Sequence, residues 1–260
     1  MIFKDQLERE TVLKRRPKRI ISLVPSQTEL LVDLGLENSL IGLTKFCVHP
    51  KHLRKEKVIV GGTKQINVQK IKGLSPDIIL CNKEENTKEM IEAIDDIAPV
   101  HISDIYTIED CLKLIKMYGD IFEVTSDASN IIEAINTERQ QFQNKIANQQ
   151  KPKAAYFIWK NPWMVAASNT FIHAMLNEAG FTNVFENFER YPEIDLNNLN
   201  LRGAEFIFLS SEPYPFKEQH LETLKKQFPD KEVVIVDGEM FSWYGSRLQK
   251  AYRYFESLHQ

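Results

Sequence analysis

The sequence predicts an α/β protein of two lobes, each built on a mostly parallel sheet, joined by one long helix. Short apolar runs alternate with helical segments before residue 126 and again after residue 150. Between them, residues 126–148 contain neither Pro nor Gly and carry apolar residues at helical spacing. The halves also resemble each other, since TELLVDLGLENSLIG and SPDIIL are similar to TFIHAMLNEAGFTNVF and GAEFIFL. We therefore predict lobes over residues 1–125 and 151–260, with a bridging helix over residues 126–150.

The first lobe is predicted to open with a short edge hairpin within residues 5–12. The continuous apolar run at residues 19–24 is typical of a strand covered on both faces, and Pro25 ends it. Ser26 and Glu29 have the spacing of a capping box for a helix that stops at Gly35. Strands and helices then alternate over residues 40–44 (strand), 58–60 (strand), 68–73 (helix), 77–81 (strand), 87–97 (helix), 100–103 (strand) and 108–118 (helix).

The long helix has signals at both ends. Ser126 can cap it, Asp127 lies in its first turn and Lys145 near its last, and Pro152 prevents continuation. At about 1.5 Å per residue it would span roughly 33 Å, which is enough to join two lobes rigidly. The second lobe follows with predicted segments at residues 154–159 (strand), 171–179 (helix), 205–210 (strand), 221–227 (helix), 233–237 (strand) and 246–259 (helix).

Composition narrows the class of protein. A net charge of -3 and a pI near 6.1 give no broad basic surface, so we expect no nucleic-acid partner. Three widely spaced cysteines argue against a disulfide framework. The chain as it begins at Met1 shows no signal peptide, which predicts a cytoplasmic location; a start codon upstream would predict a periplasmic or membrane-associated one. We also expect a monomer.

Aromatic residues concentrate where a parallel sheet binds ligands, in the loops that follow the carboxyl ends of its strands. We expect about half of these rings to pack within their own lobe, and the others to form walls for a bulky, partly apolar ligand. The rings in these loops are Phe46, Tyr106, Trp159, Trp163, Tyr214, Phe216, Phe241, Trp243 and Tyr244.

Polar candidates lie in the same loops. Gly61 to Lys64 match neither a P-loop nor a dinucleotide fingerprint, so we expect a flexible turn with Lys64 near the ligand. Arg247 precedes the last helix, where it could donate to an anionic group or lie at a solvated helix start. Ser26 lacks the surroundings of a nucleophile.

Cys47 and His49 form a Cys-x-His pair whose spacing suggests a metal site. A structural zinc site needs four ligands, and no second cluster is visible in the sequence, although His52 and His101 could converge by folding. We therefore expect no metal ion held by the protein. Cys47 or His49 could still contact the metal of a bound complex, or form a buried thiol beside a solvated imidazole.

Over nearly its whole length, the chain resembles the substrate-binding proteins of ABC importers for cobalamin, haem and iron–siderophore complexes, known as helical-backbone metal receptors. The stretches RIISLVPSQTELLVDLGL, VGGTKQINVQKIKGLSPDIIL, FIWKNPWMVAASNTFIHAMLNEAGFTNVF and VIVDGEMFSWYGSR carry the resemblance. It implies two Rossmann-like lobes bridged by one rigid helix, with the ligand held between them. Cobalamin binders look closest, because their second strand leads to an aromatic-x-x-Tyr-Pro loop where this chain has Phe46 to Pro50.

The chain departs from that family at three positions. Relatives that dock on a permease carry a glutamate on each lobe, where this chain has Gln69 and Asn197, and an amide cannot pair with a permease arginine as a carboxylate does. A tryptophan common in the cobalamin binders is Thr63 here. These changes weaken the expectation of an ABC permease partner.

The resemblance and the loop residues together predict a binding protein with no cofactor of its own, whose ligand is cobalamin or a related metal chelate. An iron–siderophore or haem is the alternative ligand. An enzyme using Glu84, Glu85, Asp104, Glu212 or Glu239, or a cytoplasmic cofactor chaperone, is the alternative function. The expected ligand-binding residues are Pro25, Ser26, Lys45, Phe46, Cys47, His49, Thr63, Lys64, Lys83, Tyr106, Trp159, Trp163, Tyr214, Phe216, Phe241, Trp243 and Arg247.

Overall fold

The computed structural model describes residues 2–196 and 201–259, with the side chain of residue 202 left out. The chain groups into two compact units. The first unit comprises residues 1–105, 109–136 and 244–247, and the second comprises residues 106–108, 137–243 and 248–260. Each unit contains its own sheet of mostly parallel strands, which confirms the predicted fold class.

The first unit is built on a parallel sheet in the order β5-β4-β3-β6-β7, preceded by the antiparallel hairpin β1-β2. All residues of β3 and β6 are buried, as expected for central strands covered on both faces. The strands of this unit are β1 (Ile2–Lys4), β2 (Glu10–Val12), β3 (Ile20–Ser22), β4 (Leu40–Leu43), β5 (Val58–Ile59), β6 (Ile78–Asn82) and β7 (Val100–Ser103).

The second unit is built on a mixed sheet in the order β11-β9-β8-β12-β13, with β10 paired to β8. Strands β8, β10, β12 and β13 are parallel to one another, whereas β9 and β11 pair antiparallel. These strands are β8 (Lys153–Trp159), β9 (Trp163–Val165), β10 (Thr182–Asn183), β11 (Glu193–Ile194), β12 (Phe206–Ser210) and β13 (Glu232–Val236).

Helices connect the strands and cover the sheets. They are α1 (Pro25–Asp33), α2 (Leu53–Glu56), α3 (Val68–Leu74), α4 (Lys88–Glu92), α5 (Ile108–Ile121), α6 (Thr125–Ile146), α7 (Phe171–Glu178), α8 (Glu218–Gln227), α9 (Glu239–Ser242) and α10 (Leu248–Ser257), with 3-10 turns at Glu37–Ser39 and Leu201–Gly203. Within the described ranges, no helix combines the length and apolar character needed to cross a bilayer.

The long helix α6 is present, but it starts one residue earlier than predicted, so Ser126 lies inside its first turn. Its residues up to Asn136 belong to the first unit and those from Thr137 to the second. In the second unit, the Arg139 guanidinium bonds to both oxygens of the Glu178 carboxylate, at 2.8 and 2.5 Å. This bidentate pair fixes the later turns of α6 against α7.

The predicted capping box is wrong. Helix α1 begins at Pro25, and its cap residue, Val24, offers no side-chain hydrogen bond. Glu29 instead accepts hydrogen bonds from Arg247, at 2.7 and 3.1 Å. The last helix also begins later than predicted, at Leu248, so the Gly245–Arg247 segment precedes it.

Candidate functional site

In the first unit, the loops after β4, β5 and β6 lie at one edge of the sheet, because these parallel strands end there. We call the residues Lys45, Phe46, Thr63, Lys64 and Lys83 of these loops the first rim. Phe46 is 48% exposed, which is unusual for a large apolar ring, and the Lys45 ammonium lies 5.0 Å from its centroid. This lysine and phenylalanine present a cation–π pair at the edge of the sheet.

The turn from Gly61 to Lys64 is held by hydrogen bonds, in contrast to the flexible turn that we expected. The Gly62 N–H donates to the Gln65 carbonyl at 2.7 Å, and the Asn86 amide donates to the Thr63 carbonyl at 3.0 Å. A Cβ atom on Gly62 would lie 3.1 Å from the Phe46 ring, so glycine lets this turn lie against the ring.

The two other lysines of the first rim have partners. The Lys64 ammonium donates to the Glu84 carbonyl at 2.7 Å. The Lys83 ammonium pairs with the Asp104 carboxylate, also at 2.7 Å. Both side chains are exposed; the Asp104 carboxylate offsets the charge of Lys83, whereas the backbone carbonyl leaves the charge of Lys64 in place.

Beneath the first rim, a buried hydrogen-bond network centres on Gln27. Its amide nitrogen donates to the Ser103 hydroxyl at 2.7 Å and to the Tyr244 hydroxyl at 3.0 Å, and its amide oxygen accepts from the Tyr118 hydroxyl at 2.7 Å. Burial raises the pKa of Tyr118 and of Tyr244. Because both remain neutral donors at physiological pH, the network holds α1, β7 and the 244–247 segment in fixed register.

In the second unit, the loops after the adjacent parallel strands β8 and β12 bring four rings together. We call Trp159, Trp163, Tyr214 and Phe216 the second rim. The Trp159 and Tyr214 ring centroids lie 5.5 Å apart in an edge-to-face contact, and Tyr214 contacts Phe216 at 4.8 Å. Trp163 stacks on Phe216 at 5.9 Å. The rings brace one another in geometries that aromatic pairs prefer.

Exposure differs sharply along the second rim. Trp159 is 40% exposed, whereas Phe216 is 5% exposed and belongs to the apolar core of the unit. Trp163 and Tyr214 are partly buried against the same core. The rim is therefore an outward-facing indole supported from below by three rings, and Trp159 offers a flat apolar surface at little cost in side-chain entropy.

Glu212, in the loop after β12, is a partly buried carboxylate that accepts two side-chain hydrogen bonds. The Ser242 hydroxyl donates to it at 2.6 Å and the Trp243 indole N–H at 2.9 Å. Burial raises the pKa of Glu212 more than these hydrogen bonds lower it. Its role is to fix Trp243, which is only 7% exposed and therefore does not form the open wall that the sequence predicted.

Phe241 and Arg247 were also predicted to contact the ligand, but both are buried. Phe241 has no exposed surface and packs against Tyr156 and Phe255, because α9 turns its ring into the core. Arg247 is 5% exposed and bound to Glu29, so its guanidinium is not available for an anionic ligand.

Pro25, Ser26 and Cys47 are also buried. Pro25 and Ser26 lie in the first turn of α1, with Ser26 only 4% exposed. The Cys47 thiol has no exposed surface and lies 3.1 Å from the Thr28 hydroxyl and 3.3 Å from that of Thr44. Burial raises the pKa of Cys47, which keeps it a neutral thiol. Cys47 is therefore corrected from a metal contact to a core residue.

The remaining candidates are partly accessible. His49 and Tyr106 are each half-buried, and Tyr106 belongs to the second unit although it follows β7 of the first.

His52 and His101 do not converge, since His101 is fully buried in β7 and His52 is exposed before α2. Of the nine aromatic residues in the predicted loops, the buried ones are Phe216, Phe241, Trp243 and Tyr244.

Sequence reasoning missed the roles of Gln27 and Glu212, and gave Glu29 a different one. Gln27 and Tyr244 are separated by 217 positions, and Glu29 and Arg247 by 218, so no local pattern connects them. Glu212 was considered only as a candidate acid or base. Polar residues directly after an apolar strand were the available signal, but that signal does not distinguish a buried carboxylate from an exposed one.

The chain is similar to known proteins in sequence and in fold. Residues 20–232 match the model of a family described as periplasmic binding protein. An uncharacterized ABC transporter substrate-binding lipoprotein of Bacillus subtilis, YvrC, is 28% identical over 66% of this chain, and the match spans 57% of YvrC's own length.

A vitamin B12-binding protein of Vibrio parahaemolyticus is 24% identical over 77% of this chain and 73% of its own. A solved periplasmic heme-binding protein from Pseudomonas aeruginosa superposes with a TM-score of 0.81 at 22% identity, covering 93% of this chain and 92% of its own. That structural likeness shows the fold alone.

Proposed function

This chain belongs to the periplasmic binding protein family, and from that premise we propose that it captures a metal chelate, cobalamin or another corrinoid, for an ABC-type uptake system. The observation that carries the proposal is the second rim, where Trp159 is 40% exposed and braced by Tyr214 at 5.5 Å. A large macrocycle with apolar faces is the kind of ligand that an exposed, immobilised indole holds well.

The charge of the first rim favours a corrinoid over a strongly anionic ferric siderophore. Lys83 is paired with the Asp104 carboxylate, and Arg247 is buried in its pair with Glu29. Using these two cations to compensate negative charges on a ligand would require breaking their ion pairs. A corrinoid, whose rim carries mainly neutral amides, requires fewer free cations.

Metal coordination by the protein is not needed in this proposal. The Cys47 thiol is buried and neutral, so it is not offered to a ligand's metal. The cobalt of a corrinoid arrives already held by its macrocycle. Binding would then depend on apolar contact at Trp159 and on hydrogen bonds to peripheral amides, and the protein would need no cofactor of its own.

We also propose that the chain delivers its ligand to an ABC permease. It would contact the permease through surfaces other than the two docking glutamates of related receptors. Gln69 is exposed on α3 and carries an amide in place of a carboxylate. Asn197 lies outside the described residues. The family and the lipoprotein relative support a periplasmic or membrane-associated location rather than the cytoplasmic one expected from Met1.

The proposal is tested by titrating the purified protein separately with cyanocobalamin, haem and a ferric siderophore. All three tryptophans belong to the second unit, so quenching of their fluorescence reports binding near the second rim. We expect saturable binding of cyanocobalamin with a Kd below roughly 100 μM. Tighter binding of haem or the siderophore would reassign the ligand, and turnover of a substrate without binding of any chelate would favour an enzyme.

The first prediction concerns Trp159. Replacing it by Ala removes the exposed ring of the second rim and should weaken corrinoid binding by roughly 1 to 3 kcal/mol. Phe188→Ala is the matched control, because Phe188 is similarly exposed, at 36% against 40% for Trp159. It follows β10, which pairs with the start of β8, whereas Trp159 ends that strand. Equal affinities of the wild type and the Trp159 variant would remove this ring from the site.

A further inference from the structure

A second cluster of ligand-bearing side chains lies in the first unit, away from the first rim. Glu37, His52 and Glu56, which we call the surface triad, each place one nitrogen or oxygen within 4.8 Å of the others. The His52 Nε2 atom lies 2.8 Å from the Glu37 carboxylate. His52 directly precedes α2, and Glu56 is the last residue of that helix. Because they are four positions apart, their side chains share one face of a helical turn.

The triad is held in place by its supporting backbone. Leu53, between His52 and Glu56, is fully buried and anchors α2 to the core. The Lys57 ammonium donates to the Glu37 backbone carbonyl at 2.8 Å, which ties the 3-10 turn to the end of α2.

The triad lies at the opposite edge of the sheet from the first rim. Glu37 precedes the start of β4 at Leu40, and Glu56 precedes the start of β5 at Val58. The first rim follows the ends of the same strands, which are parallel. A ligand at the triad would therefore bind independently of a ligand at the first rim.

We propose that the surface triad binds a divalent transition-metal ion of the zinc class through one imidazole nitrogen and two carboxylate oxygens. Imidazole nitrogen and carboxylate oxygen are both zinc ligands, at distances of about 2.0 to 2.2 Å, and three protein ligands leave a fourth position for water. Two ligands of a tetrahedral ion lie about 3.4 Å apart at those distances. The exposed Glu56 side chain can close the remaining gap by rotation.

The chemistry of the triad supports a metal rather than a permanent ion pair. Two carboxylates beside a single imidazole concentrate negative charge that one imidazole cannot balance, and a divalent cation would neutralise both carboxylates. Protons compete with a metal ion for such ligands, so binding should weaken as pH falls.

The test is calorimetric titration of the tag-free protein with Zn²⁺, and spectroscopic titration with Co²⁺. We expect one ion per chain and a Co²⁺ spectrum without a thiolate charge-transfer band, since no cysteine takes part. His52→Ala should weaken Zn²⁺ binding at least tenfold, because even second-shell partners of metal ligands are worth about 10-fold to 100-fold. Glu56→Gln, which keeps the side-chain shape, should also weaken it.

Matched controls separate the triad from adventitious binding. His173→Ala removes another accessible imidazole, and Glu92→Gln removes an exposed helical carboxylate, so both should bind Zn²⁺ as the wild type does. Circular dichroism checks that each variant is folded. Absence of saturable binding to the folded wild type, or unchanged Zn²⁺ affinity in both triad variants, would overturn the proposal. Corrinoid affinity should be the same in His52→Ala and wild type.

Discussion

Glu29 and Arg247 form a buried ion pair in the first unit, with side chains only 6% and 5% exposed. Replacing Arg247 by Met would leave the Glu29 carboxylate without its guanidinium partner in a site that water scarcely reaches. Removing one partner of a buried pair typically costs about 3 to 5 kcal/mol, far more than loss of an exposed pair. We expect a decrease of that size in the free energy of unfolding, measured by urea denaturation.

The control for this prediction is the double variant Glu29→Gln with Arg247→Met. It removes both charges and should recover part of the stability lost in the single variant. Because the tryptophans lie in the second unit, circular dichroism should detect the change in the first unit more directly than tryptophan fluorescence. A single variant as stable as the wild type would show that the pair contributes nothing.

His101 is a fully buried residue of β7, and neither of its ring nitrogens has a hydrogen-bond partner among the described residues. Burial lowers the pKa of His101 to about 4, an effect that neighbouring Asp5 opposes and Arg9 reinforces. The folded protein therefore holds a neutral imidazole at a pH where the unfolded chain binds a proton. Its contribution to stability is present above pH 6.5 and is lost as pH falls toward 4.

We predict that His101→Leu flattens this part of the stability profile. In the wild type, His101 should contribute a loss of up to about 1.4 kcal/mol per pH unit between pH 6.5 and 4. The measurement is the urea midpoint of both proteins across that range. Parallel profiles would show that another group causes the acid sensitivity.

Among the helices, α5 and α6 approach each other closely at Gly119. A Cβ atom there would lie 2.7 Å from the Ala128 Cβ and 3.4 Å from the Thr125 backbone. Gly119→Ala should gain about 1 kcal/mol of helix propensity but lose roughly 1 to 3 kcal/mol through overpacking. We expect a net loss in thermal denaturation. Gly73→Ala, in α3 with no atom within 4 Å of its Cβ, should be neutral or stabilising.

Elements with strong local patterns were predictable from the sequence. Strand β7 was located at its observed bounds, and α6 within two residues of its observed ends, because apolar periodicity and charge at the helix ends are local signals. The antiparallel strands β9 and β11 were missed. Each has only two or three residues, and their pairing depends on β8 as a neighbour rather than on their own composition.

At the scale of the whole molecule, the fold class was predictable and the candidate site only partly so. Topology requires the loops after parallel strands to share an edge, and this correctly brought Trp159 close to Tyr214. The sequence does not show which rings turn inward, as Phe241 does, nor which cations have partners, as Arg247 does. The surface triad was not predicted either, because Glu37 lies fifteen positions before His52 and no local pattern connects them.

The segment Tyr244–Arg247 belongs to the first unit although the residues on either side belong to the second. Its Arg247 pairs with Glu29, and its Tyr244 hydroxyl accepts a hydrogen bond from the Gln27 amide. During synthesis, the amino-terminal half therefore leaves the ribosome without the residues that complete its interior. Its folding can finish only after almost the entire polypeptide has emerged, so a nascent chain stalled within α6 should remain sensitive to protease.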